Sequence, residues 1–150
     1  MRNFSQALQL VRGSGNSLPV PADYLRSVEV ALGAELPLDY KLLLQKVGLL
    51  VIPGTPAIEL HEPAAICAYG ASIFNLEGVP PREWPGIPIA RIGTHGDDLG
   101  LLRSGSRFGP EVLAFDHERV WRGDPRDWTS LVSEDFSSLI VGRHRGLQAS

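Results

Sequence analysis

Cysteine is almost missing from this 150-residue chain. Cys67 stands alone, so no internal disulfide can form and there is no thiol framework for a structural zinc site. The compartment this predicts is a reducing cytoplasm. Lysine is nearly as scarce, Lys41 and Lys46 being the only two, and the basic residues do not gather. Residues 1–75 hold 5 basic and 6 acidic side chains, and residues 76–150 hold 9 and 11. With a net charge of −3 and no basic arm, the chain has little counterion release to draw on, the term that drives most non-specific binding to DNA or RNA. Direct nucleic-acid binding is not expected. Long apolar runs are missing as well. Met1–Gln6 does not lead into the roughly 7–15 apolar residues of a signal peptide, and no stretch approaches the roughly 20 of a membrane span, so neither export nor membrane insertion is expected.

What remains is an ordinary globular composition, 43% hydrophobic and 21% charged, at a length where folding buries roughly 70% of the extended chain's surface. One sizeable core is possible without disulfide or metal. Phe4, Leu8 and Val11 recur near helical spacing, predicting a loosely attached first helix within 1–12 that Gly13–Ser17 breaks. Leu25, Val28, Ala31 and Leu32 predict a second helix over 22–32, stopped by a left-handed Gly33. Pro37, then Tyr40, Leu43, Leu44 and Val47, predict a third over 37–47 before Gly48.

Leu49–Ile52 and Ala57–Leu60, parted by Pro53-Gly54, read as the first two strands. Prolines 63, 80, 81 and 85 cut up residues 61–86, leaving room for one short helix around Pro63–Ala71. Beyond it, Ile87–Ile92, Leu99–Leu102, Glu111–Phe115 and Arg119–Trp121 are apolar runs separated by turn residues, the pattern of an antiparallel meander. Trp128–Val132 leads to Ser133, read as the cap of a closing helix with Glu134 and Asp135 in its first turn and Phe136, Leu139 and Ile140 on its apolar face. Helices first, strands next and a helix last predict an α+β fold, not alternating βαβ units.

Several blocks in this order resemble the SUKH superfamily, also called Smi/Knr-like, which includes fungal cell-wall-assembly regulators and many bacterial proteins that neutralise polymorphic toxins. Val28–Leu44 is similar to the family's helix, Gly, Leu-Pro, acidic-Tyr, helix signature. Ile87–Ala90 with Gly93–Leu102 resembles its strand, Gly-Asp turn and strand. Gly109–Glu118 resembles its Gly-x-Val strand ending in Asp-His-Glu, and Asp135–Leu139 its Phe-containing closing helix. The likeness covers roughly 25–141, and the chain departs from it in the apolar run after Gly48 and in His95. It implies a helix and linker over 1–24, a SUKH-like domain over 25–142 and a tail over 143–150.

His95, Asp97 and Asp98 are metal-ligand types, but one local cluster does not supply three or four converging ligands, and with Gly93 and Gly96 they read as a polar turn. Asp116-His117-Glu118 offers acid and base groups, yet neighbours on a strand point to opposite faces, and a tight connection is the simpler reading. No metal, cofactor or catalytic residue is therefore expected. Trp84 and Trp128 are assigned to packing. Trp121, among Arg119, Arg122 and Asp124, suits a partner-facing rim.

The resemblance implies a non-catalytic immunity protein that binds a toxin domain. Asp97, Asp98, Glu118 and Asp124 would steer a basic partner and Trp121 would anchor it. The alternatives are a Smi/Knr-like regulatory scaffold and a small hydrolase built on His95 or His117 with nearby carboxylates.

Overall fold

Proline and glycine mark the helix ends, as the apolar spacing predicts. The computed structural model describes residues 3–12, 18–74, 78–93, 98–116 and 124–149, and opens with α1 (Phe4–Val11), α2 (Ala22–Leu32) and α3 (Leu38–Val47). α2 stops at Gly33, whose φ of 66° and ψ of 24° are left-handed. A Cβ there would sit 3.0 Å from the Arg82 Cβ. Gly33→Val is expected to destabilise the fold by about 1–3 kcal/mol through backbone strain. A thermal melt superimposing on that of the unaltered protein would show that this turn accepts a side chain.

The strands are β1 (Val51–Ile52), β2 (Ile58–Leu60), β3 (Gly86–Ile92), β4 (Asp98–Ser104), β5 (Arg107–Phe108), β6 (Val112–Phe115) and β7 (Thr129–Ser133). The strands named here pair with one another antiparallel, in the order β1-β2-β3-β4-β6-β7, with β5 folded back onto the end of β4, and Arg107 of β5 makes a single parallel bridge to Glu35. The sheet curls into a half-barrel. Gly100 lies mid-strand because a Cβ there would run into the Ile87 carbonyl and the Phe115 ring. Between β2 and β3 the chain makes a 3-10 turn at Pro63–Ala65 and then α4 (Ile66–Phe74), which packs on β3.

Two expectations change. The first helix is not loosely attached: α1 packs on α5 (Phe136–Ala149) and α3, with Ala7 and Val11 fully buried. Ser133 does not cap α5, because it ends β7. Asp135 does so, its Oδ1 accepting from the Ser138 N–H at 2.7 Å. α5 also continues through Ala149, past the start of the expected tail. The expected strand at Arg119–Trp121 lies outside the described residues.

Two polar side chains join distant parts of the core. The buried Asp39, in the first turn of α3, accepts from the Ser137 N–H at 3.0 Å and the Ser137 hydroxyl at 2.8 Å, tying α3 to the start of α5. Arg103 of β4 donates to the carbonyls of Leu32 (2.8 Å), Pro81 (3.0 Å) and Trp84 (2.8 Å) and lies over the Phe108 ring. The Leu32 carbonyl is among the last of α2, a group left without an intrahelical partner.

Tyr40 is fully buried, edge-on to Phe136 with ring centroids 5.3 Å apart. Its hydroxyl has no hydrogen-bond partner among the described residues, and burial pushes its ionisation far above the usual tyrosine value. The folded state therefore keeps the proton that the unfolded state loses near pH ~10, and stability falls as pH rises above that point. Tyr40→Phe should remove this part of the alkaline loss while leaving neutral-pH stability unchanged or about 1 kcal/mol higher. Urea midpoints at about pH 8 and about pH 11 test it; equal alkaline losses in both proteins would count against it.

Candidate functional site

Antiparallel register brings several polar residues to one end of the sheet. Glu59 pairs with Arg91, Arg91 with Asp98, Asp98 with Phe115, and Phe115 with Thr129. The end of β3, the start of β4 and the end of β6 therefore lie at the same end of the sheet. Of the residues expected to bind a partner, Asp98 and Asp124 are described, whereas Asp97, Glu118 and Trp121 lie outside the described residues, as do His95 and His117.

Asp98 is half-buried and engaged. Its Oδ1 lies 3.0 Å from Nε2 of the buried His61, whose ring stacks on Tyr69 of α4 at a centroid distance of 4.2 Å. The pair joins the end of β2 to the start of β4 and is covered by α4. Beside it is a hollow of about 150 Å³ lined by Glu59, His61, Glu62, Tyr69 and Arg91, among others. An imidazole oriented by a carboxylate is two-thirds of a nucleophile-activating set. The third group is a serine, threonine or cysteine, and none lines this hollow. Cys67, on the same helix as Tyr69, is half-buried, and burial raises its thiol pKa, the opposite of what activates a thiolate nucleophile.

Asp124 is exposed and caps a 3-10 turn at Pro125–Asp127, accepting from the Arg126 N–H at 2.9 Å. Its carboxylate also takes the Arg126 guanidinium at 2.7 Å, and these hydrogen bonds hold its pKa down to about 2. Asp124 thus stays ionised across the physiological range, with its charge largely answered by Arg126. Trp84 and Trp128 are both fully buried, as their assignment to packing requires. Among the described residues no group of three or more His, Cys, Asp or Glu is placed to hold a metal ion, and no helix is long and apolar enough to cross a membrane.

Sequence reasoning passed over the strand that follows this turn. β7, Thr-Ser-Leu-Val-Ser, ends one side of the sheet, with Leu131 62% and Val132 43% exposed. Asp127 precedes it and Glu134 follows it, both exposed. An uncharged five-residue stretch between acidic groups was the available signal. Compared with protein-family models, with curated proteins and with solved structures, the chain gives no match.

Proposed function

We propose that this chain is a non-catalytic protein-binding domain of the immunity type, which neutralises a toxin domain by docking on it. The observation that carries the reading is where the SUKH-like blocks lie. Val28–Leu44 forms the second half of α2, the Gly33 turn and most of α3; Ile87–Leu102 contributes to β3 and β4; Asp135–Leu139 opens α5. The acidic-Tyr pair of the first block meets the last block directly, Asp39 on Ser137 and Tyr40 on Phe136. Residues that resemble one another's family counterparts in separate stretches of sequence thus serve one shared core. An acidic binder gains encounter rate and orientation against a basic toxin surface; because Asp98 is held by His61 and Asp124 by Arg126, the steering falls to Asp97 and Glu118, with Trp121 as anchor.

The test is co-expression with the C-terminal domain of a multidomain toxin encoded immediately upstream. Growth should be restored and the two proteins should co-purify. Growth arrest that persists despite folded, abundant protein would sink the proposal. The absence of any toxin neighbour would shift weight to a Smi/Knr-like scaffold role.

A further inference from the structure

β7 is the outermost strand on its side, and among the described residues no strand pairs with its free edge. The Asp116 N–H donates to the Trp128 carbonyl at 2.9 Å. Beyond that bond Phe115 faces Thr129, Ala114 faces Ser130 and Leu113 faces Leu131. Hydrogen-bonded and non-hydrogen-bonded pairs alternate along an antiparallel ladder. Ser130 is therefore bonded to β6, while Thr129 and Leu131 turn their N–H and C=O groups toward the open side.

Exposed edges are usually blunted by lysine, proline, an inward charge, a bulge or shortness. The opposite edge, β1, is two residues long. β7 has five and contains no charge or proline. Its register irregularity, opposite Val112/Leu113, sits at the Ser133 end and leaves Thr129–Leu131 regular.

We propose that the free edge of β7 is where a partner protein adds a strand, and that this strand is apolar with basic residues at its ends. The inference deepens the binding reading above and rests on it. Charge selects the occupant. Asp127 lies before β7 and Glu134 and Asp135 follow it, while the nearby Arg126 is taken by Asp124. A second copy pairing antiparallel about Leu131 would set Asp127 against Asp135 of the other chain, and parallel pairing would set each acid against itself. Like charges opposite one another destabilise a strand pair. A strand with arginine or lysine at both ends meets the same acids as complements, while its backbone takes up the outward groups of Thr129 and Leu131 and its apolar side chains cover Leu131 and Val132.

Two fluorescent peptides with one alternating Val/Thr core, one flanked by arginines and the other by glutamates, test this against the full chain by anisotropy. The Arg-flanked peptide should bind at least about tenfold tighter, a gap of about 1.4 kcal/mol, and should weaken as salt rises. On binding, the amides of Thr129 and Leu131 should become slow to exchange, and Ser130 should already be slow.

Leu131→Pro deletes one outward donor at a position where an edge tolerates proline, and should abolish binding. Leu131→Lys keeps the donor, places a charge on the edge, and should cost about tenfold in affinity with little change in melting temperature. Equal affinity for the two peptides, no binding at millimolar concentration, or a dimer formed through β7 would overturn the proposal. A toxin-domain complex that survives both Leu131 variants would remove β7 while leaving the binding function standing. Charge-dependent peptide binding without any toxin-domain complex would do the reverse.

Discussion

Asp39→Ala is expected to destabilise the fold by about 3 kcal/mol, because it strands buried donors and removes no unfavourable contact. Ser137 is fully buried, and its N–H and hydroxyl both end on the same Asp39 oxygen. Tyr40 N–H also donates to this carboxylate, at 2.8 Å. For a domain of this length the loss corresponds to roughly a 10 °C fall in melting temperature. Asp39→Asn keeps an acceptor and should cost about 1 kcal/mol. Adding Ser137→Ala to Asp39→Ala removes one of the stranded donors, so the double variant should be less destabilised than the sum of the single ones. Urea midpoints measure all of these. An Asp39→Ala midpoint within error of the unaltered protein would show that Ser137 finds other acceptors at no cost.

Trp84→Ala should cost more, about 4 kcal/mol, the range for deleting a buried aromatic side chain. The ring is fully buried, its Nε1 donates to the Val79 carbonyl at 3.2 Å, and it lies against Gly70 of α4 so closely that a Cβ there would collide with it. The backbone carbonyl of Trp84 is meanwhile held by Arg103. Loss of the ring therefore opens a cavity between α4 and the turn leading into β3. Against a typical total of roughly 5–15 kcal/mol, this should lower the population of folded protein measurably near physiological temperature. Chemical denaturation with an unchanged m-value and a lower midpoint is the expected result. An unchanged midpoint would place the ring outside the cooperative core.

The helices and inner strands were legible because their boundaries depend on local chemistry. Gly33 ends α2 by its own backbone freedom, and the apolar runs of β3 and β6 are largely buried in the core. β7 was not legible, since an edge strand needs no alternation and Ser130, Leu131 and Val132 are all exposed. The α5 cap was misplaced for a related reason: Ser133, Glu134 and Asp135 offer several side chains able to start a helix, and only the reach of β7 decides among them.

The candidate site was legible in residue type and not in partnership. Asp98 looks like a turn carboxylate until register carries it to His61, 37 positions away. Arg103 reads as an unremarkable charge at the end of a strand, and nothing local announces that it gathers three carbonyls from two other segments.

The span of these closures bears on how fast the chain folds and unfolds. Asp39 and Ser137 are 98 positions apart, Arg103 and Leu32 are 71, and Asn3 Nδ2, which donates to the Ser138 hydroxyl at 3.1 Å, reaches 135 positions along the chain. Such loops carry the largest closure entropy, so these contacts should form after the β3–β4 hairpin has already crossed the rate-limiting barrier. Substitutions at Asp39 or Ser137, whose mutual bonds close the 98-position loop, should then leave the refolding arm of a chevron nearly unmoved and accelerate unfolding. For these residues the consequence is kinetic: they set how long the folded state lasts, while the hairpin sets how quickly it is reached.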